Sequence, residues 1–193
     1  MEQPTHNVEE LARNKAKKYN LWIGMMGMFM MFAALSSGFI VYTQGGVDKG
    51  IKTLLPTAFI YSTVVIVLSS ITMHFALNAA KKGEKKQQSI LLLITIVLGI
   101  IFFFIQMESW KILTDRGVYF INTNASQSFI YVFTGMHLAH IVAGVVVLLR
   151  AFLGSIKNIQ HKTNVLRMEL AAIFWHFLDF LWIYIYVFLL LNQ

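Results

Sequence analysis

His137 and His140 stand three residues apart in the apolar run TGMHLAHIVAG, and Glu169, His176 and Asp179 stand seven and three apart in MELAAIFWHFLDFLW. Helical residues three, four or seven apart share a face, so each set draws a polar stripe along an otherwise apolar helix. Ionisable groups inside hydrocarbon cost about 2.5–3.5 kcal/mol each on insertion scales and are worth reading as functional. Three chemistries fit. The stripes can form a hydrogen-bonded seam that fixes helix packing and receives a lipid head group at one end. They can offer two histidines from facing helices to a haem. They can also build a metal or proton-relay site from His137, His140, His176 and Asp179. Spacing leaves all three open. The chain has no cysteine, which removes disulfides, iron–sulfur clusters, thiolate metal sites and cysteine nucleophiles, and leaves imidazole and carboxylate as the available ligands. It contains no glycine-rich phosphate loop, no nucleophile elbow and no HExxH.

The elements that carry these residues follow from composition. Hydrophobic residues make up 57% of the 193 and charged residues 13%, against about 45–50% and roughly 25% in soluble domains; mean hydropathy is +0.63. Apolar runs cover 20–42, 54–80, 89–108, 125–150 and 167–191. At 1.5 Å per residue each is long enough as a helix to cross a hydrocarbon core of ~30 Å, and all are too long for barrel strands. The reading is an all-α integral membrane bundle of five transmembrane helices: a segment 1–19, then a single five-helix domain over 20–193. The intervening polar segments GGVDKG, KKGEKKQQ, SWKILTDRGVYFINTN and GSIKNIQHKTN read as loops.

Orientation follows from the sixteen cationic residues. Arg13, Lys15, Lys17, Lys18, Lys81, Lys82, Lys85, Lys86, Arg150, Lys157, Lys162 and Arg167 fall on one side, and only Lys49, Lys52, Lys111 and Arg116 on the other. The positive-inside bias makes the first side, with the N-terminus, cytoplasmic and leaves the C-terminus periplasmic. The net charge of +7 is absorbed by this rule, so no nucleic-acid partner is implied. The N-terminal segment is too long and too acidic at its start for a signal peptide, so the first helix is expected to be retained.

Depth relates the two stripes. Counted from Arg150 and Arg167, His137 is 13 residues in and Asp179 is 12, while His140 is 10 in and His176 is 9. If the last two helices are neighbours, His137 is expected to pair with Asp179 and His140 with His176. Gly135 and Gly144 would let a neighbour approach closely, and Gly24 and Gly27 read as a close helix contact in the first span. His74 and Glu108 fall near helix ends and read as interface residues. Tyr19, Trp22, Trp110, Tyr119, Tyr184 and Tyr186 read as aromatic belts.

At these residues the sequence resembles subunit III of the haem–copper terminal oxidases, the cytochrome c and quinol oxidases of aerobic respiration. Glu169, Ala171, Ala172, Trp175, His176, Phe177, Asp179 and Trp182 match E-x-A-A followed by W-H-F-x-D-x-x-W. Thr134, Gly135, His137, His140 and Gly144 match T-G-x-H-x-x-H-x-x-x-G, and Leu98, Gly99 and Gln106 match the third helix. The resemblance covers all five spans and fits the short five-helix bacterial form. Where many members carry a glutamate in the first helix, Gly27 and Met28 stand here, so a role tied to that carboxylate does not carry over; Glu108 is likewise offset from the family's acidic position.

The resemblance implies a subunit without its own catalytic residues, metal or haem, with haem and copper in partner subunits. It would pack on catalytic subunit I beside subunit II, with a small subunit IV or a supercomplex as further partners, in the bacterial cytoplasmic membrane. It would bind phospholipid and support proton uptake and turnover. The expected positions are His137, His140, His176 and Asp179 as an internal polar seam, and Glu169, Arg150 and Arg167 at lipid head groups. A protein associated with nitric oxide reductase and a self-contained membrane cytochrome are the alternatives.

Overall fold

The computed structural model describes residues 3–45, 51, 55–121, 124–157 and 160–192, with side chains from residue 12. Its helices are α1 (Gln3–Gln44), α2 (Ala58–Lys82), α3 (Lys85–Asp115), α4 (Ala125–Ile156) and α5 (His161–Leu191). Each contains a stretch long and apolar enough to cross a membrane, so all five expected spans have a helix. Lys49 and Lys52, and Leu54 at the expected start of the second span, lie outside the described residues.

The helices overrun their spans at one end or both, although α2 starts at Ala58, four residues after the expected start and just past Pro56, which has no N–H to donate. α1 begins at Gln3 rather than near residue 20, because the preceding segment is rich in Glu, Ala, Arg and Lys, good helix formers, and its one early proline sits in the first turn. Hydropathy marks where a chain enters hydrocarbon; helical hydrogen bonding continues until a breaker stops it. α2 and α3 are stopped by glycines. Between α2 and α3 only Gly83 and Glu84 intervene, in place of the longer loop expected at KKGEKKQQ. Gly83 has φ +79°, its N–H donates to the Ala80 carbonyl at 3.1 Å, and Glu84 N–H donates to Ala79 at 3.0 Å. This bond pair is the Schellman helix end, which needs a left-handed residue and so favours glycine. Gly117 ends α3 in the same way: its N–H donates to Thr114 and Val118 N–H to Leu113. SWKILTD, expected in a loop, is therefore helical. At the start of α4 the Asn124 side chain accepts from Ser126 N–H at 3.0 Å, a polar cap of the ordinary kind.

α2 packs on α3, α3 on α4, α4 on α5, and α5 back on α2, closing a four-helix ring; α1 lies outside it and, among the described residues, packs on α4 and α5. Trp175 and Trp182 of α5 fill the ring and are fully buried. A Cβ added at Gly99 of α3 would lie 2.8 Å from the Trp175 ring, and one at Gly144 of α4 would lie 3.1 Å from the same ring and 2.9 Å from Leu178. The two glycines thus make the slot into which the indole fits, which is how small residues bring membrane helices together where no hydrophobic effect drives association. Gly135 faces Trp110 at an ordinary 3.6 Å.

α1 is held by a narrow seam. Met25, Phe32, Ser36 and Phe39 are buried, at steps of seven, four and three, while Trp22, Met26, Met30 and Val41 are exposed. A Cβ added at Gly24 or Gly27 would meet nothing within 4 Å: the close contact expected there is not made among the described residues, because α1 docks through Phe32 and Phe39.

Candidate functional site

The polar residues of the bundle are best followed from α5, which meets three other helices. On α2, Ser62, Thr63, Ser69 and Ser70 recur seven apart, two helical turns, so that Thr63 meets α5 at one level and Ser69 and Ser70 at the other. Ser69 Oγ accepts from Trp175 Nε1 at 3.1 Å and Thr63 Oγ1 accepts from Trp182 Nε1 at 3.0 Å. Each indole thus spends its one donor inside the ring, as burial requires. Ser62 Oγ accepts from Gln106 Nε2 at 2.8 Å. These hydroxyls were not among the expected site residues; their signal is the seven-residue repeat in STVVIVLSS.

The expected seam takes a different form from the pairing read by depth. α4 and α5 are neighbours, yet among the described residues His137 finds no polar partner for either ring nitrogen. It is fully buried, with its ring 5.2 Å from that of Trp182 and 5.9 Å from that of Phe102. His140, one turn on, turns to α1: its ring lies 6.1 Å from Phe32 and its Nδ1 is 2.6 Å from the Met136 carbonyl. His176 turns to α2, with Nδ1 2.7 Å from Ser70 Oγ and 3.8 Å from Asp179 Oδ2. Asp179 is buried with neither oxygen hydrogen-bonded. The structure therefore brings together His176 and Asp179 on one helix, with Ser70, and among the described residues neither is hydrogen-bonded to His137 or His140. Equal depth does not imply contact, because rotation about the helix axis decides which neighbour a side chain meets. Among the described residues no group of three or more His, Asp or Glu side chains is arranged to hold a metal ion.

At the cationic end, Arg150 and Arg167 line one groove between α4 and α5 with Lys157, over a floor that includes Val147, Ala151 and Leu170. Glu169, expected beside them, lies two residues past Arg167 and so on another face. Its Oε2 accepts from Lys18 Nζ of α1 at 2.8 Å, beside a second groove lined by Asn14, Lys81, His161 and Lys162. Residues of all three cationic clusters thus meet at one end of the bundle. Two expected belt aromatics point inward: Tyr184 OH is 2.7 Å from Ser36 Oγ across the α1–α5 seam, and Trp110 Nε1 donates to Thr134 Oγ1 at 3.0 Å. Glu108 stays exposed, 3.7 Å from Lys111, and His74 is exposed on α2.

The chain is 25% identical to cytochrome c oxidase subunit 3 of Bacillus sp. (strain PS3) over 89% of its length and 84% of the relative's. It is 29% identical to cytochrome bo(3) ubiquinol oxidase subunit 3 of Buchnera aphidicola subsp. Acyrthosiphon pisum, over 91% and 86%. It is 26% identical to a probable quinol oxidase subunit 3 of Staphylococcus saprophyticus, over 88% and 85%. These relatives include both cytochrome c and quinol oxidases. The family model for cytochrome c oxidase subunit III matches residues 20–192, which takes in all of the ring and the membrane part of α1. A multi-pass helical bundle with the W-H-F-x-D stripe on its central helix is thus an accessory subunit of a terminal oxidase, and the chain belongs to the cytochrome c oxidase subunit III family.

Proposed function

We propose that this chain is the non-catalytic third subunit of a haem–copper terminal oxidase that reduces oxygen to water with electrons from cytochrome c or quinol. It packs against catalytic subunit I, with subunit II as the second partner, in the bacterial cytoplasmic membrane. The observation that carries the proposal is the family match over residues 20–192. The side-chain directions support it. Haem or metal ligation needs imidazoles that converge on one centre, whereas His137, His140 and His176 turn to three different neighbours. In this reading haem and copper reside in the partner subunits, and the role of these residues is to shape the bundle.

The N-terminus lies in the cytoplasm and the C-terminus in the periplasm, a reading supported by the meeting of the cationic clusters at one end. The α4–α5 groove takes an anionic phospholipid head group. Arg150, Lys157 and Arg167 provide charge above an apolar floor that suits the start of the acyl chains. Glu169 instead ties α1 to α5 through Lys18. Support of proton uptake follows from holding subunit I and its lipid in place at the cytoplasmic face.

The test is affinity purification of the chain from native membranes in mild detergent, with an absorption spectrum and mass spectrometry of the accompanying proteins. Haem bands with subunits I and II are expected, and subunit II identifies the electron donor. A colourless chain alone, or haem bound to the chain by itself, overturns the proposal.

A further inference from the structure

One stretch of the molecule is neither closed by the bundle nor uniformly apolar. Among the described residues α1 and α2 both pack on α5 but not on each other, which leaves a lengthwise groove with α5 as its floor. The outward residues of that floor are Glu169, His176, Phe180, Ile183 and Val187, at steps of seven, four, three and four, and Phe180 is 65% exposed. The groove is bounded at its cationic end by the Lys18–Glu169 ion pair. Well inside the span, between apolar residues, the His176 side chain is 36% exposed. Its Nδ1 is engaged by Ser70, whereas Nε2 has no partner among the described residues.

Hydrocarbon cannot satisfy that nitrogen. An acyl chain in the groove would cover the imidazole and leave its polar atom unpaired, which costs free energy because no water is at hand to replace the lost bond. A protein helix carrying a hydrogen-bonding side chain at that level satisfies it, and interhelical bonds of this kind fix the register of packed membrane helices. We propose that the groove between α1 and α2 receives a transmembrane helix of another oxidase subunit, whose polar side chain bonds His176 Nε2. His176 is then the register pin of a subunit interface, and Ser70 is its positioning residue, holding the ring so that Nε2 faces out. The proposal rests on the assignment of the chain to an oxidase complex and adds to it which face is covered and by what.

The experiment uses the intact complex. A photo-crosslinking phenylalanine analogue at position 180, one turn from His176, is compared with the same analogue at position 104 on the outer face of α3, where Phe104 is 66% exposed. Cross-linking from position 180 to another subunit is expected. Capture of lipid alone from position 180 in an intact complex overturns the groove proposal and leaves the oxidase assignment standing, as does capture of protein from position 104 only. Purification of the chain with no other subunit overturns both. A second measurement reads the pin itself: His176→Ala is expected to lower co-purification of the cross-linked partner several-fold while the chain keeps its helical content, and His176→Gln, which retains hydrogen-bonding capacity, is expected to restore most of it. Equal retention in wild type, His176→Ala and His176→Gln overturns the role of the imidazole.

Discussion

His137 and His176 sit on packed neighbouring helices, both well inside the membrane span, and the bundle treats them in opposite ways. His137 is sealed between Phe102 and Trp182 with neither nitrogen bonded among the described residues. His176 keeps a 2.7 Å contact to Ser70 and its side chain is 36% exposed. The difference teaches that a polar stripe in a membrane helix is not one device. Inside the closed ring the imidazole acts as an aromatic plate in a stack, and its polarity is a cost. On the open groove the same group is held by one bond and keeps another in reserve.

The largest expected effect comes from breaking the seal. Trp182 stacks on Phe59, meets Phe102 edge-on, covers His137 and bonds Thr63. Trp182→Ala is expected to destabilise the chain by about 3–5 kcal/mol, the cost of a large aromatic cavity, read as a strong fall in the thermal midpoint of the detergent-solubilised protein. A small change there would mean that the ring is looser than its packing indicates.

A smaller effect of opposite sign sharpens the comparison. His137→Phe fits the same aromatic site and removes two unsatisfied nitrogens, each of which costs about 1–3 kcal/mol when buried unpaired; the thermal midpoint should hold or rise. A clear fall would show that His137 has a polar partner, such as an internal water. His176→Phe should lower the midpoint, because it strands Ser70 Oγ. The smallest effect belongs to the edge of the groove. Lys18→Ala removes an ion pair whose side chains are 46% and 28% exposed, and such pairs are worth about 0–1 kcal/mol, so the midpoint should barely move.

Much of the fold was legible because hydrocarbon is a strict solvent. Five spans follow from apolar length alone, and the glycine slots for an indole were half-visible in Gly144. The helix ends were less legible. Residues 3–19 and 109–115 are polar enough to read as loops, yet they belong to α1 and α3. Of the expected site residues, Arg150 and Arg167 share a groove and His176 meets Asp179. The expected partners of His137 and His140 are elsewhere, and Glu169 has left the arginines for Lys18.

The sequence by itself determined the number of spans, the stripes on the last two helices and the family resemblance, because periodicity, length and residue type are properties of a chain read in order. Only the tertiary structure decided what each stripe faces. The rotation of α5 turns Trp175 and Trp182 into the ring and His176 out to the groove, and the docking of α1 on α4 and α5 leaves that groove open. The physical reason is that a helix fixes the angle between its own side chains, whereas its angle to its neighbours is set by where glycine lets a large ring approach.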